Sequence, residues 1–354
     1  MFETSETPVL HSQRIVRLSD GSALIWPYYN LPVTAGPWEI AVDSNRLERT
    51  QWVGNLRQQI PTADFTVDLF PALAEKWLAS PAFRLDTINQ IQVIIDRYKK
   101  GGVDFPVDYV TNISAELETR QDALRYQWTL IFFYVAVLKK IIDIRDTEQA
   151  MERLVLFSTA DVPRASALLS LGALCLFLKT RQSVRLTDDP HSGYSHVQRF
   201  FSFQPGRKGE EDHINQSYLR NRGLDLALFY FWPVRDIQNR KPKAQPVVIT
   251  EDKALYSLVF RMLPLMYLPK QSGPAIPVAI ALDELPLSQR VAFESLRSRI
   301  NVSFEPPCDG KVRRQRLENL YLQARALADR NEEQSALETI WQDWCLPGLP
   351  EPAA

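Results

Sequence analysis

Cysteine is scarce in this chain. The three present, Cys175, Cys308 and Cys345, are too widely spread for a zinc motif or a disulfide framework. Cys175 sits in an apolar run and reads as a small buried hydrophobe, so a reducing, cytoplasmic setting is expected. Long hydrophobic runs are missing too. The two most apolar stretches, Thr129–Leu138 and Ala165–Leu178, end at Lys139-Lys140 and at Lys179. Both fall short of the roughly 20 residues that span a bilayer, so they are expected to be core helices and no membrane is expected. The N-terminal MFETSETPVL lacks the basic start and apolar stretch of a secretory signal. Charge of one sign is lacking as well: 41 Lys and Arg stand against 42 Asp and Glu, a net charge of −1. No global field steers the protein toward nucleic acid, so any polyanion must meet a local basic patch. There is no G-x-x-x-x-G-K-[ST], no G-x-S-x-G and no cysteine with a nearby histidine. These absences remove a P-loop phosphate cradle and the usual serine and cysteine nucleophile schemes.

What is present is the balance of an ordinary globular protein, 45% hydrophobic and 23% charged over 354 residues. The tail 1–12 is followed by a short hairpin, with Arg14–Leu18 and Ala23–Trp26 flanking the turn residues Ser19-Asp20-Gly21. Trp38–Val42 is an apolar strand that runs into Asp43-Ser44-Asn45 and then a helical pattern to about Ile60. From Asp68 to about Lys179 apolar residues recur at spacings of three and four, which predicts helices over 69–78, 83–98, 107–144, 147–157 and beyond Asp161. Residues 183–213 read as loop, and Tyr218–Trp232 as helix. Then the period changes: Val247–Ile249, Pro277–Leu282 and Val302–Phe304 read as strands with helices between, the pattern of a parallel sheet. Helices over 312–328 and 332–344 close the chain.

Ligands sit outside the carboxyl ends of strands in an open parallel sheet, so acidic residues that follow strands are the candidates for chemistry. Asp43, Asp252 and Asp283 satisfy this. Carboxylates gathered at one edge repel each other unless a cation joins them, and Mg²⁺ or Mn²⁺ suits an all-oxygen set. The plain reading of Asp43 and of Asp252 is a helix N-cap. Asp225, between Leu224 and Leu226 in an apolar helix, is expected to be shielded from solvent and so to need a partner.

The stretch Trp38-Glu39-Ile40-Ala41-Val42-Asp43-Ser44-Asn45-Arg46-Leu47 resembles the opening strand of PIN-domain ribonucleases, which runs into an Asp-x-Asn signature. Asn221-Arg222-Gly223-Leu224-Asp225-Leu226-Ala227-Leu228 resembles the family's helix with a third acid. Val247-Val248-Ile249-Thr250-Glu251-Asp252-Lys253-Ala254-Leu255 resembles its strand ending in Thr-x-Asp. The resemblance implies a helix-rich α/β fold with a small parallel sheet of PIN-like, Rossmannoid type, and a metal-dependent endoribonuclease. It implies Asp43, Asp225 and Asp252 as catalytic metal ligands, with Asn45 and Thr250 shaping the site. The second acid would be Glu116, with Asp161 the other candidate. Because a minimal domain of this family is far shorter, the implied organisation is a tail and hairpin over 1–36, an α/β nuclease domain over 37–305 with a helical insertion at about 69–182, and C-terminal helices over 306–354.

Ile280-Ala281-Leu282-Asp283-Glu284 resembles the Mg²⁺-binding strand of P-loop ATPases, whose phosphate cradle is missing. It also resembles the acidic strand of Toprim nucleases, whose glycine and second aspartate are missing. His191, His196 and His213 lie in a loop-like region without the spacing of a zinc site. Two basic stretches are candidates to track phosphates: Arg220, Arg222, Arg235, Arg240, Lys241 and Lys243 beside Asp225, and Lys311, Arg313, Arg314, Arg316 and Arg325. Arg222, adjoining Asp225, is the preferred RNA contact; a solvated face is the plain reading of both. The alternative to an enzyme is a non-catalytic helical scaffold. It would bind a protein partner through the C-terminal helix bearing Leu337, Ile340, Trp341, Trp344 and Leu346.

Overall fold

A computed structural model of the protein describes residues 11–181, 194–230, 244–267, 280–281, 285–302 and 308–345. The chain divides into two compact units: 1–121 with 228–256 and 264–279, and 122–227 with 257–263 and 280–354. It is a helix-rich α/β protein, and among the described residues no helix is long and apolar enough to cross a membrane.

The first unit holds a five-stranded sheet: β1 (Ile15–Arg17), β2 (Ala23–Ile25), β3 (Trp38–Val42), β4 (Phe65–Asp68) and β5 (Gln245–Thr250), in the order β1-β2-β5-β3-β4. The sheet is mixed, which corrects the expectation of a parallel one. β3 runs parallel to both β4 and β5, but the hairpin β1–β2 lies antiparallel against the other edge of β5. The physical reason is the tight turn: Gly21, at φ +84°, lets the chain reverse over Leu18–Ser22, and only antiparallel neighbours can be joined so briefly. β5 is buried along its whole length, as a strand flanked on both sides must be. The strand expected over 277–282 lies outside the described residues apart from 280–281, and Val302 is not in a strand. Among the described residues this unit also holds α1 (Gln51–Gln59), α2 (Phe70–Ala79), α3 (Pro81–Leu85), α4 (Thr87–Lys100) and α5 (Tyr109–Thr119). The long helix expected over 107–144 is broken at Arg120, between α5 and α6.

The second unit is helical: α6 (Gln121–Asp143), α7 (Thr147–Thr159), α8 (Ser166–Thr180), α9 (Tyr194–Phe201), α10 (Gln216–Tyr230), α12 (Leu287–Arg297), α13 (Gly310–Ala326) and α14 (Asn331–Ile340). The short α11 (Lys253–Leu255), which belongs to the first unit, precedes a π-helix over Tyr256–Met262. α8 is buried from Ala167 to Leu178, as its apolar run demands. Leu337, Ile340 and Trp341 are buried within this unit, and the Trp341 ring stacks on Tyr321 at 5.0 Å. These side chains, which the sequence offered for a partner surface, are therefore spent on the unit's own core; Leu346 lies outside the described residues.

A buried ion pair ties α6 to α14. Lys140 Nζ lies 2.6 Å from Glu333, whose carboxylate also accepts the Ile214 and Asp329 backbone N–H groups. Burial pushes the Glu333 carboxyl up, but Lys140 and the two amides outweigh it and hold the group below its ordinary value. A depressed folded-state pKa contributes stability above the unfolded value, lost as pH falls through the folded one. Glu333→Gln is expected to lower stability at neutral pH and to flatten its decline below about pH 4. Urea midpoints at both pH values check this; parallel losses in the two proteins would contradict it.

Candidate functional site

The site grows from the carboxyl ends of β3 and β5. Val42 is in register with Ile249, and the Asp43 N–H donates to the Ile249 carbonyl at 3.1 Å, so Asp43 and Thr250 emerge side by side. Asp43 is only 3% exposed. It precedes a short 3-10 turn, Ser44–Arg46, yet its side chain makes no capping hydrogen bond there. Instead its Oδ2 accepts from Asn45 Nδ2 at 2.6 Å and from the Thr250 hydroxyl at 2.5 Å. The Thr250 oxygen in turn accepts the Asp252 backbone N–H at 3.0 Å. Four residues that the sequence grouped in two distant motifs thus form one connected network. The Asn45 Oδ1 is buried with no hydrogen-bond partner among the described residues.

Asp252 has a different task. Its Oδ1 accepts from the N–H groups of Ala254 at 2.8 Å and Leu255 at 2.9 Å, so the plain reading as an N-cap describes that oxygen. The two aspartates, alike in sequence context, are therefore used differently.

Three features of this edge escaped the sequence reading. Asp68 closes β4 on the other side of β3, is buried, and accepts the Phe70 N–H at 3.0 Å. Its own residues point to a helix start rather than a strand, because β4 has four residues and only two apolar side chains. Arg46, buried at 4% exposure, reaches Glu251 at 3.0 Å and Asp20 at 3.5 Å, so one guanidinium holds the hairpin turn and the segment between Thr250 and Asp252. Burial pushes the Asp20 carboxyl up, but the Ser22 donors and Arg46 outweigh it and hold the group low. Glu251 also meets the exposed Arg49 at 3.2 Å. The only signal for these contacts was adjacency to Asn45 and Thr250.

The remaining candidates are placed as follows. Glu116 is on α5 in the first unit, 3.3 Å from Arg120 one turn on. Asp225 and Asp161 belong to the second unit. Asp225 is half-buried on α10, less shielded than the buried Leu224 and Leu226 beside it. Asp161 is exposed and pairs with Arg316 at 2.8 Å. Arg222 is buried, 3.2 Å from Glu210, which removes it from any surface contact with RNA. His196 is buried on α9, in a region expected to be loop; His191, Asp283 and the basic residues from Arg235 to Lys243 lie outside the described residues. Among the described residues no three His, Cys, Asp or Glu side chains are gathered so as to hold a metal ion. Comparisons with protein families, with curated proteins and with solved structures give no match.

Proposed function

We propose that this protein is a metal-dependent nuclease of PIN-like type, an endoribonuclease that hydrolyses RNA phosphodiester bonds at the strand ends of its first unit. The observation that carries this reading is the buried Asp43 carboxylate, which makes no capping hydrogen bond to the 3-10 turn after it and is held by Asn45 and Thr250 at the carboxyl ends of adjacent parallel strands. The donor set suits a hard cation sparingly ligated by protein. Mg²⁺ keeps several waters and binds through one or two carboxylates, and the unpartnered Asn45 Oδ1 is a further oxygen beside Asp43. Asp43 and Asn45 would hold Mg²⁺ or Mn²⁺, with Asp252 and Asp68 as the nearby acids. The bound ion would supply a water of lowered pKa and neutralise charge on the phosphate. The chain's own residues hold the carboxylate in one orientation: Thr250 and Asn45 saturate Oδ2, and the Asp252 N–H fixes the Thr250 hydroxyl that donates to it. Lys253 is an exposed cation next to this edge and suits a flanking phosphate, with Arg49, held by Glu251, a weaker second.

The test is cleavage of a labelled single-stranded RNA in Mn²⁺, with EDTA as control. Asp43→Asn is expected to reduce the rate by about 10²–10³-fold, the effect of removing one group from a charge-stabilising site. Thr250→Val, which removes the orienting hydroxyl, is expected to cost about 10–100-fold. Equal rates in wild type, Asp43→Asn and Asp252→Asn would end the proposal and leave the non-catalytic scaffold as the reading.

A further inference from the structure

We propose that the first two turns of α13, together with Tyr126 of α6, form a binding face for the phosphate backbone of single-stranded RNA. This face belongs to the second unit, and the inference does not rest on the metal site. Four cations, Lys311, Arg313, Arg314 and Arg316, fall within six consecutive positions at the start of the helix. The helix buries Leu317, Leu320, Tyr321 and Ala324. Arg313 continues that stripe beyond its apolar end, being four residues before Leu317 and seven before Leu320. It is exposed, and its guanidinium lies 4.0 Å from the centroid of the Tyr126 ring.

That geometry holds the guanidinium over an aromatic face without spending its hydrogen bonds. The Arg313 side chain has no acidic partner and no hydrogen bond among the described residues. An arginine so placed keeps its fork of N–H donors for an external acceptor, and phosphate oxygens match that fork. Lys311, also exposed, has no partner among the described residues either. Arg316 is committed to Asp161, which makes it a weaker contributor.

The partner follows from the acids around the cations. Asp309, just before the helix, is exposed, and Glu318 follows two residues after Arg316. A broad anionic surface such as a lipid headgroup layer meets both signs here. A narrow phosphodiester strand crossing the helix between Asp309 and Glu318 meets Lys311 and Arg313, while the one carboxylate there, Asp161, is neutralised by Arg316. Single-stranded RNA is therefore favoured over a membrane.

The experiment is fluorescence anisotropy of a labelled oligoribonucleotide with the full chain in EDTA, so that cleavage does not intervene, at several salt concentrations. Lys311→Gln/Arg313→Gln is expected to weaken binding about tenfold and to reduce the slope of log K against log salt by about 1.4, two phosphate contacts on a single strand. Arg313→Lys, which keeps the charge and loses the fork, is expected to fall between. Wild-type affinity and salt slope in the double variant, or no RNA binding by the wild type, would overturn the proposal. Loss of binding to phosphatidylserine vesicles with RNA binding unchanged would assign the face to membranes and overturn it as well. Because EDTA abolishes any cleavage, a failed nuclease reading leaves these outcomes readable.

Discussion

Arg222→Met is expected to destabilise the second unit by about 3–5 kcal/mol, the cost of leaving a buried charge without its partner. Arg222 and Glu210 are 6% and 4% exposed and 3.2 Å apart. The Glu210 carboxylate also accepts from the Gln204 N–H at 3.1 Å and from Asn221 Nδ2 at 2.9 Å, and Arg222 donates to the Ser202 carbonyl at 3.1 Å. The pair therefore ties the loop between α9 and α10 onto α10. Methionine matches the length and apolar stem of arginine but not its charge, so Glu210 would keep its burial and lose its only paired cation in this network. Adding Glu210→Gln should recover most of the loss, because removing both members of a buried pair is often close to neutral. Denaturant midpoints of the two single variants and the double variant give the coupling directly. A surface arginine reserved for RNA would behave in the opposite way, with unchanged stability and weaker RNA binding.

The same residue explains how far the sequence could be read. Arg222 looked like a phosphate contact because it precedes Asp225 among other basic residues; the acid that neutralises it lies twelve positions earlier, in a segment read as featureless loop. Pairing at that distance leaves no periodic trace. α9 did leave one, since Val197, Phe200 and Phe201 recur at helical spacing, but a run of eight residues carries little weight. Asp43, Asn45, Thr250 and Asp252 were legible because each closes or follows an apolar strand, and parallel pairing in register brings strand ends together. The sheet's mixed character was not legible. The hairpin was read as a local feature, and nothing in its own residues says that Ala23 will face Thr250 across 227 positions. The fate of the C-terminal aromatic residues was equally hidden: tryptophan suits a partner's surface and its own core alike, and only Tyr321 and Phe133 beside Trp341 decide between them.

Helix propensity and packing make opposite predictions at two glycines, which allows the close approach of α6 and α10 to be tested by sign as well as size. Glycine inside a helix costs about 1 kcal/mol relative to alanine, so it persists where something leaves no room for a side chain. At Gly54, inside α1, a Cβ would meet nothing within 4 Å. At Gly223, inside α10, a Cβ would lie 2.2 Å from Cδ1 and 2.5 Å from Cε1 of Phe132. Phe132 is itself fully buried and packs edge-on against Trp344 at 5.4 Å, so the ring has no free side to yield into. Gly54→Ala is expected to stabilise the protein by about 0.5–1 kcal/mol. Gly223→Ala is expected to destabilise it by about 1–3 kcal/mol despite the better propensity, and Gly223→Val by more, since overpacking forces rotamers and backbone aside. Phe132→Leu shortens the obstructing ring; combined with Gly223→Ala it should cost less than the sum of the two single changes. Thermal and denaturant unfolding of these five variants supplies the comparison. If Gly223→Ala stabilised the protein as Gly54→Ala does, α6 and α10 would not approach as closely as this packing requires.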